Sequence, residues 1–142
     1  MRIDPERILV LSPHTDDAEV SSGGTMARFI REGRQVFVHV LSRASSTGED
    51  PMRECSRALI GLGVPIENTQ LTDLPVRSLH EHRQVILDKL LDLRLRWEPD
   101  LVLLPSWGDI HQDHQVVAQE GLRAFKDCSV LGYEYPWNHL EF

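Results

Sequence analysis

The sequence has few cysteines and no long apolar run. Cys55 and Cys128 are its only cysteines, and they show neither a metal-binding spacing nor the density of a disulfide framework. We therefore expect reduced thiols in a cytoplasmic protein. No N-terminal stretch has the flanks of a signal peptide, and no apolar run approaches the length of a membrane span. These features predict a soluble intracellular protein.

An excess of basic residues is also lacking. The 15 Lys and Arg residues are outnumbered by 22 Asp and Glu residues, which gives a formal net charge of −7. Nucleic acids and acidic membrane surfaces bind basic faces, so this balance argues against both partners. A chain of 142 residues is long enough to bury one substantial core. We expect residues 1–142 to form a single domain.

Apolar, β-rich runs alternate along the chain with segments of helical periodicity. The pattern predicts, in order, a strand at Arg7–Ser12, a helix near Gly23–Glu32, a strand at Gln35–Ser42, a helix at Pro51–Leu62, a strand near Asn68–Leu71, a helix from a Ser78/Glu81 capping box to about Trp97, a strand at Leu101–Leu104, a helix near His114–Phe125 and a strand near Val130–Tyr135. This alternation indicates an α/β domain with a mostly parallel sheet covered on both faces. We predict a Rossmann-like, doubly wound sheet with strand order 3-2-1-4-5.

Two polar clusters follow the first and fourth predicted strands. The first is HTDDAEVSSGG at residues 14–24, and the second lies in PSWGDIHQDHQ at residues 105–115. In the order 3-2-1-4-5 the winding direction reverses between strands 1 and 4, and such sheets bind ligands at that point. We therefore expect the two clusters to meet at one edge of the sheet.

Three side chains of these clusters form a suitable ligand set for a divalent metal. His14 and Asp17 lie three residues apart after the first strand, and His114 can approach them from the fourth. Two imidazoles and one carboxylate with an open fourth position are typical of a catalytic zinc site, and Fe²⁺ accepts the same set. The expected cofactor is Zn²⁺, with Fe²⁺ as the alternative.

Neighbouring residues are candidates for catalysis. Asp16 adjoins a ligand and suits a base that takes a proton from water. His111 lies one helical turn before His114 and could donate to an oxyanion or to a leaving nitrogen, and Asp113 beside it could fix its tautomer. Each cluster alone could be a solvated loop or a helix cap. Their coincidence at two neighbouring strand ends favours a metal site.

The two clusters resemble the motifs of the PIG-L, or LmbE-like, family of zinc-dependent N-deacetylases. These enzymes remove an acyl group, usually acetyl, from the 2-amino group of N-acetylglucosaminyl compounds. The similar residues are His14-x-Asp16-Asp17-Ala18-Glu19-x-x-x-Gly23-Gly24 and His111-x-Asp113-His114, with Thr47-Gly48-Glu49, Glu54, Ala58 and Leu62-Gly63 between them. The resemblance implies zinc ligands at His14, Asp17 and His114, a general base at Asp16, an acid or oxyanion stabiliser at His111 and a histidine-orienting residue at Asp113.

The sequence departs from the family pattern in two ways. Thr15 replaces the usual proline of the first motif, which removes no ligand. Family members normally continue well past the position of Phe142, so we expect either a domain truncated at its C-terminus or a compact variant.

Other residues are candidates for substrate or partner contacts. Asp73 and Arg77 follow the third strand and could contact a sugar or form a surface pair, and Trp107 could line the pocket mouth or cover the end of the sheet. Trp137 and Phe142 follow an edge strand with no later element to bury them. We expect a second copy of the chain to cover this tail, which would make the protein a homo-oligomer.

The function expected from these observations is a metal-dependent amide hydrolase that acts on a small N-acylated amino sugar or its conjugate. A rival interpretation is a truncated, non-catalytic metal-binding or interaction domain of the same fold. A dinucleotide-binding oxidoreductase is disfavoured, because SPHTDDAEVSSGG lacks the G-x-G-x-x-G spacing and its carboxylates would repel a pyrophosphate. His39 is expected to be a core histidine, and Gly23-Gly24 to let the backbone approach the site.

Overall fold

A five-stranded parallel sheet with helices on both faces forms the fold. The computed structural model describes residues 4–43 and 50–140, and Thr47-Gly48-Glu49 lies outside them. The strands are β1 (Arg7–His14), β2 (Gln35–Ser42), β3 (Thr69–Leu71), β4 (Leu101–Pro105) and β5 (Ser129–Tyr133). The helices are α1 (Asp17–Arg31), α2 (Pro51–Leu62), α3 (Arg83–Trp97) and α4 (Gln112–Ala124), with short 3₁₀ turns at Ile66–Asn68, Leu79–His82 and Pro136–Asn138. Within the described ranges, no helix combines the length and apolar character needed to cross a membrane.

The strand order is β3-β2-β1-β4-β5, and every strand pairing is parallel. This order confirms the predicted α/β class and topology. β1 and β4 are direct neighbours, with Ile8 opposite Leu101 and Val10 opposite Leu103. The carboxyl ends of both strands therefore open at the same edge of the sheet.

Successive side chains of β1 enter two different layers of the core. Leu9 packs on one face among buried residues of α3 and α4, including Leu90, whereas Ile8 packs on the other face with Met26 of α1. All four side chains are completely buried. The near-continuous apolar strands are thus explained by a sheet covered on both faces.

Helix α1 begins at Asp17 rather than near Gly23 as the sequence predicts. Serine and glycine are poor helix formers, but Ser22 and Gly23 are buried in this helix, and a Cβ added to Gly23 would lie 3.4 Å from Leu62 of α2. Packing of small residues against α2 therefore outweighs their low propensity. The expectation that the glycine pair lets the backbone approach the site is wrong, because both glycines lie inside the helix.

The termini of α2 and the start of α3 can be compared with the helix-capping residues in the sequence. Helix α2 has the predicted bounds: Asp50 accepts a backbone hydrogen bond from the first turn (3.1 Å), and Gly63 ends the helix with a φ of 96°. The capping box predicted for α3 is wrong. The Ser78 hydroxyl bonds the carbonyl three residues earlier (3.0 Å), and a 3₁₀ turn separates it from the helix.

Candidate metal centre

The turn from β1 to α1 places His14 and Asp17 side by side. The buried Ser12 hydroxyl donates to the His14 carbonyl (2.6 Å) and accepts the backbone N–H of Ala18 (3.1 Å), so one side chain holds both ends of the turn. Asp16 has a φ of 93°, a left-handed conformation that few non-glycine residues adopt. The turn buries the two candidate ligands and leaves Asp16 exposed.

The segment between β4 and α4 brings the second cluster to the same place. His111 is the N-cap of α4, where its Nδ1 accepts the backbone N–H of Asp113 (3.1 Å), and His114 lies in the first turn. The ring centroids of His14, His111 and His114 lie between 4.8 and 5.4 Å apart. The structure therefore brings together the three histidines that the sequence singles out.

The donor atoms of His14, Asp17 and His114 converge. Asp17 Oδ2 lies 3.2 Å from His14 Nδ1 and 3.2 Å from His114 Nε2, and the three side chains are 10%, 4% and 2% exposed. Two ligands of a tetrahedral zinc ion with bonds of about 2.0–2.2 Å lie roughly 3.3–3.6 Å apart. Both distances to Asp17 Oδ2 are close to this spacing, and the donor atoms of all three residues lie within 4.8 Å of one another. Donor atoms of His14, His111 and Asp113 also lie within 4.8 Å of one another.

The second ring nitrogen of each candidate histidine ligand is hydrogen-bonded to a buried carboxylate. His14 Nε2 lies 2.8 Å from Asp113 Oδ2, and His114 Nδ1 lies 2.6 Å from Asp109 Oδ2. Both carboxylates are at most 1% exposed. Histidines that bind metals commonly donate their other N–H to such a partner, which fixes the tautomer and the ring orientation. The arrangement leaves His14 Nδ1 and His114 Nε2 facing Asp17, and these are the ring atoms that would bind a metal after losing their protons.

The sequence interpretation differs from the structure in two of these contacts. Asp113 was expected to act on the ring of His111, but its carboxylate lies against His14 and accepts two backbone N–H groups from the loop after β3 (2.6 and 3.2 Å). Asp109 was missed altogether. The signal for it is a second carboxylate in PSWGDIHQDHQ, two residues before His111.

Hydrogen bonds within the cluster outweigh the effect of burial on its pKa values. Burial would raise the pKa of Asp17, but hydrogen bonds from His114 and His14 hold it well below its ordinary value. Burial would lower the pKa of His114, but its bonds to Asp109 and Asp17 raise it to about 9. Burial acts likewise on His14, and bonds to Asp17 and Asp113 raise its pKa. A cation that binds here must therefore displace protons from the imidazoles.

His111 differs electrostatically from the two candidate ligands. Because the backbone N–H of Asp113 donates to its Nδ1, the neutral ring carries its proton on Nε2. Burial and the neighbouring charges of His114 and His14 lower its pKa. His111 is thus a neutral imidazole with a hydrogen-bond donor at Nε2.

Asp16 adjoins the candidate ligands but is not one of them. It makes no capping bond to α1, and together with Glu19 and Glu54 it lines a cavity of about 390 Å³ between α1 and α2. Burial and the carboxylates of Asp17 and Glu19 raise its pKa to about 6. A carboxylate with a pKa near neutrality is well suited to accept a proton from water.

The predicted substrate contacts lie in three different places. Asp73 accepts a hydrogen bond from Arg43 (2.9 Å), so it does not form the surface pair considered for it and Arg77. Arg77 shares the wall of a cavity with His111. Trp107 is 66% exposed and lines a cavity of about 210 Å³ whose other walls come from α4 and include none of the candidate ligands.

Comparison with known proteins gives a match over most of the chain. The family model PIG-L, described as GlcNAc-PI de-N-acetylase, matches residues 9–125. The uncharacterized deacetylase YaiS of Escherichia coli K12 is 28% identical over 146 residues, which cover 95% of this chain and 77% of YaiS.

Solved structures share the fold. The N,N'-diacetylchitobiose deacetylase of Pyrococcus horikoshii is 22% identical with a TM-score of 0.74, over 85% of this chain and 49% of that one. GalB, the 4-carboxy-2-hydroxymuconate hydratase of Pseudomonas putida KT2440, is 24% identical with a TM-score of 0.70, over 84% of this chain and 55% of that one. The chain thus spans about half the length of either neighbour. Because the fold serves both a deacetylase and a hydratase, the chemistry must be argued from the site.

Proposed function

Since the chain belongs to the PIG-L family, as the match over residues 9–125 shows, we propose that it is a metal-dependent N-deacetylase. The proposed substrate is an N-acetylglucosaminyl-type amino sugar or its conjugate. Hydrolysis removes its N-acyl group, which we propose to be acetyl. One observation carries the proposal. The donor atoms of His14, Asp17 and His114 are buried and close together, and the second ring nitrogen of each histidine contacts a buried carboxylate. Asp16, next to Asp17 in the chain, lies on the wall of the adjoining cavity.

His14, Asp17 and His114 would hold the metal, for which we propose Zn²⁺ with Fe²⁺ as the alternative. When bound, the ion would supply a Lewis acid that polarises the acyl carbonyl and makes water more acidic. The ring orientations would be maintained by Asp113 behind His14 and by Asp109 behind His114.

Asp16 is proposed as the general base. Water attacks the carbonyl carbon of the amide, and the Asp16 carboxylate takes the proton that water loses. When the C–N bond breaks, the protonated Asp16 can return this proton to the leaving nitrogen. Its exposure and its place on the cavity wall put it within reach of a substrate.

His111 is proposed to stabilise the negative charge that develops on the carbonyl oxygen. Its Nε2–H is a neutral donor, so it can strengthen its hydrogen bond as the oxygen becomes charged without giving up a proton. Asp113 contributes to this indirectly, because its backbone N–H fixes the tautomer of His111 while its carboxylate orients His14.

The cavity beside Asp16 is proposed to receive the sugar. Its walls include the carboxylates of Glu19 and Glu54, which accept hydrogen bonds from hydroxyl groups. Asp73 and Trp107 stay candidates for contacts with the conjugate, and a loss of affinity in Asp73→Asn or Trp107→Ala would support that role.

Acetate release from N-acetylglucosamine and its conjugates tests the function. The protein is assayed after chelation and after reloading with Zn²⁺ or Fe²⁺. We expect activity only in a reloaded form, and a loss of about 10²–10⁴-fold in Asp16→Asn with the metal retained. The matched control is Asp88→Asn on the exposed face of α3, where the carboxylate bonds only Gln84 among the contacts seen. Metal-loaded protein that releases no acetate from any of these compounds would support the non-catalytic interpretation.

We also propose that copies of the chain associate through the tail. β5 is an edge strand, and Trp137 and Leu140 beyond it are 69% and 83% exposed, while Phe142 lies outside the described residues. Sedimentation velocity should show an oligomer that Trp137→Ser weakens. A monomer at every concentration would contradict this.

The cytoplasmic location stays a prediction that cell fractionation can test.

A further inference from the structure

A second cavity borders the metal centre at His111. Its volume is about 300 Å³, and its walls are Arg77, Ile110, His111, Gln112 and Asn138. Arg77 is the one formally charged side chain among these lining residues. The carboxylate of nearby Asp113 is fully buried and already accepts three hydrogen bonds, so it does not neutralise the cavity.

The guanidinium of Arg77 has no carboxylate partner within residues 4–43 and 50–140. Arg31, on the exposed face of α1, also forms none of the ion pairs seen in these ranges, so the distinguishing feature of Arg77 is its place on the cavity wall beside His111. Most other arginines form ion pairs: Arg7, Arg28, Arg34, Arg43, Arg83, Arg94, Arg96 and Arg123. A planar guanidinium left without a protein carboxylate is well matched to a carboxylate or phosphate of a ligand.

The backbone of Arg77 is held at a defined position relative to the metal centre. Its φ of 66° lies in the left-handed region, which is costly for a residue with a side chain. Its N–H donates to Asp113 (2.6 Å) and its carbonyl accepts from the Gln112 side chain (2.5 Å). Both partners belong to the first turn of α4, which also carries His114. The position of Arg77 is therefore tied to that of a candidate metal ligand.

The two cavities next to the metal centre have opposite charge. Asp16, Glu19 and Glu54 line the cavity between α1 and α2, which has no basic side chain among its lining residues. The Arg77 cavity has a cation and no carboxylate. A substrate that reaches both cavities is best accommodated with its hydroxyl groups towards the acidic side and a negative charge towards Arg77.

We propose that the Arg77 cavity is a subsite for an anionic substituent, a carboxylate or a phosphate, on the N-acyl amino sugar. This inference rests on the proposed function, because it names a feature of the substrate for the same site. Arg77 is the residue that selects the anion. The Asn138 amide and the second N–H of the Gln112 amide, whose other N–H bonds the Arg77 carbonyl, complete the subsite.

A three-substrate comparison tests the subsite. Acetate release is measured with N-acetylglucosamine (neutral), N-acetylglucosamine 6-phosphate and N-acetylmuramic acid (a carboxylate). We expect at least one anionic compound to have a kcat/KM above that of the neutral one. Arg77→Gln should reduce this anionic-to-neutral ratio by about 10- to 100-fold, as the loss of a charge-assisted hydrogen bond implies. Arg77→Lys should retain part of the ratio, and Arg31→Gln, a change at an exposed arginine of α1, should retain all of it.

Each result decides one question. The anionic compound that is preferred identifies the substituent as phosphate or carboxylate, and an unchanged ratio in Arg77→Gln overturns the subsite while deacetylation stands. If no compound is hydrolysed, the proposed function fails. The anion subsite is then tested separately by measuring ligand binding. Calorimetry with glucosamine 6-phosphate against glucosamine should then show tighter binding of the phosphate that Arg77→Gln abolishes. Equal binding of both sugars, or binding independent of Arg77, overturns it.

Discussion

His39 should make the fold less stable in mild acid. Its side chain is fully buried in the middle of β2, its Nε2 lies 2.8 Å from the Thr72 hydroxyl, and its Nδ1 has no hydrogen-bond partner in the described part of the chain. Burial, with smaller contributions from Lys89 and Arg96, lowers the pKa of His39 to about 3. In the folded protein this ring therefore stays neutral across the range from pH 7 to pH 5.

The size of the effect follows from linkage. The unfolded chain takes up a proton at His39 below a pKa of about 6.5, whereas the folded chain does not, so acidification favours unfolding. Between pH 7 and pH 5 this one group should remove about 2 kcal/mol from the free energy of unfolding. His14 and His114 act in the opposite sense, because their raised pKa values make the folded chain bind protons more tightly. Their contribution has to be removed by difference.

Urea denaturation of the wild type and of His39→Gln at pH 7, 6 and 5, with a chelator present, isolates the His39 contribution. The glutamine can still bond Thr72 but cannot titrate, so the variant should lose about 2 kcal/mol less than the wild type between pH 7 and pH 5. His80→Gln is the control, because it removes a histidine whose side chain is 56% exposed rather than one in the core. Equal pH dependence in His39→Gln and the wild type would refute the reasoning.

Three further changes have defined outcomes. Gly121→Ala should cost about 1–3 kcal/mol of stability in thermal or urea unfolding, because the added Cβ would lie 2.7 Å from a Leu104 methyl in the core. Gly24→Ala, where that atom meets open space, should instead stabilise helix α1 by about 0.5–1 kcal/mol, and a loss there would contradict the helix assignment. Asp109→Asn should weaken metal binding by about 10- to 100-fold in a chelator competition, because the His114 ring loses its charged acceptor. An unchanged metal affinity would show that Asp109 does not support metal binding through His114.

The sequence predicts the sheet well because its signals are local and strong. The run QVFVHVLS has the predicted bounds Gln35–Ser42, and the cap residues Asp50 and Gly63 mark the ends of α2. Helix α1 was placed too late because Ser22 and Gly23 favour a loop locally, whereas their small size is what lets α1 approach α2. That advantage depends on a neighbour that a single sequence does not reveal.

The convergence of the candidate ligands could be predicted from the sequence, but the contacts that support them could not. His14, Asp17 and His114 follow from the positions of two strand ends, which the topology brings together. Which carboxylate supports which histidine depends on the path of a loop and on the first turn of α4. Asp113 lies against His14, which is 99 residues earlier in the chain, and Asp109 lies 2.6 Å from His114. The local sequence specifies neither pairing.

The separation of the two clusters along the chain has a consequence for when the proposed metal could bind. His14 and Asp113 are 99 residues apart, so at about 5–20 residues per second the ribosome makes the first cluster roughly 5–20 s before the second. During that interval the nascent chain contains only two of the three proposed ligands, His14 and Asp17. Selection of the proposed metal would then depend on the folded domain. There a bound ion would link distant parts of the chain reversibly, and its binding free energy would add to that of folding.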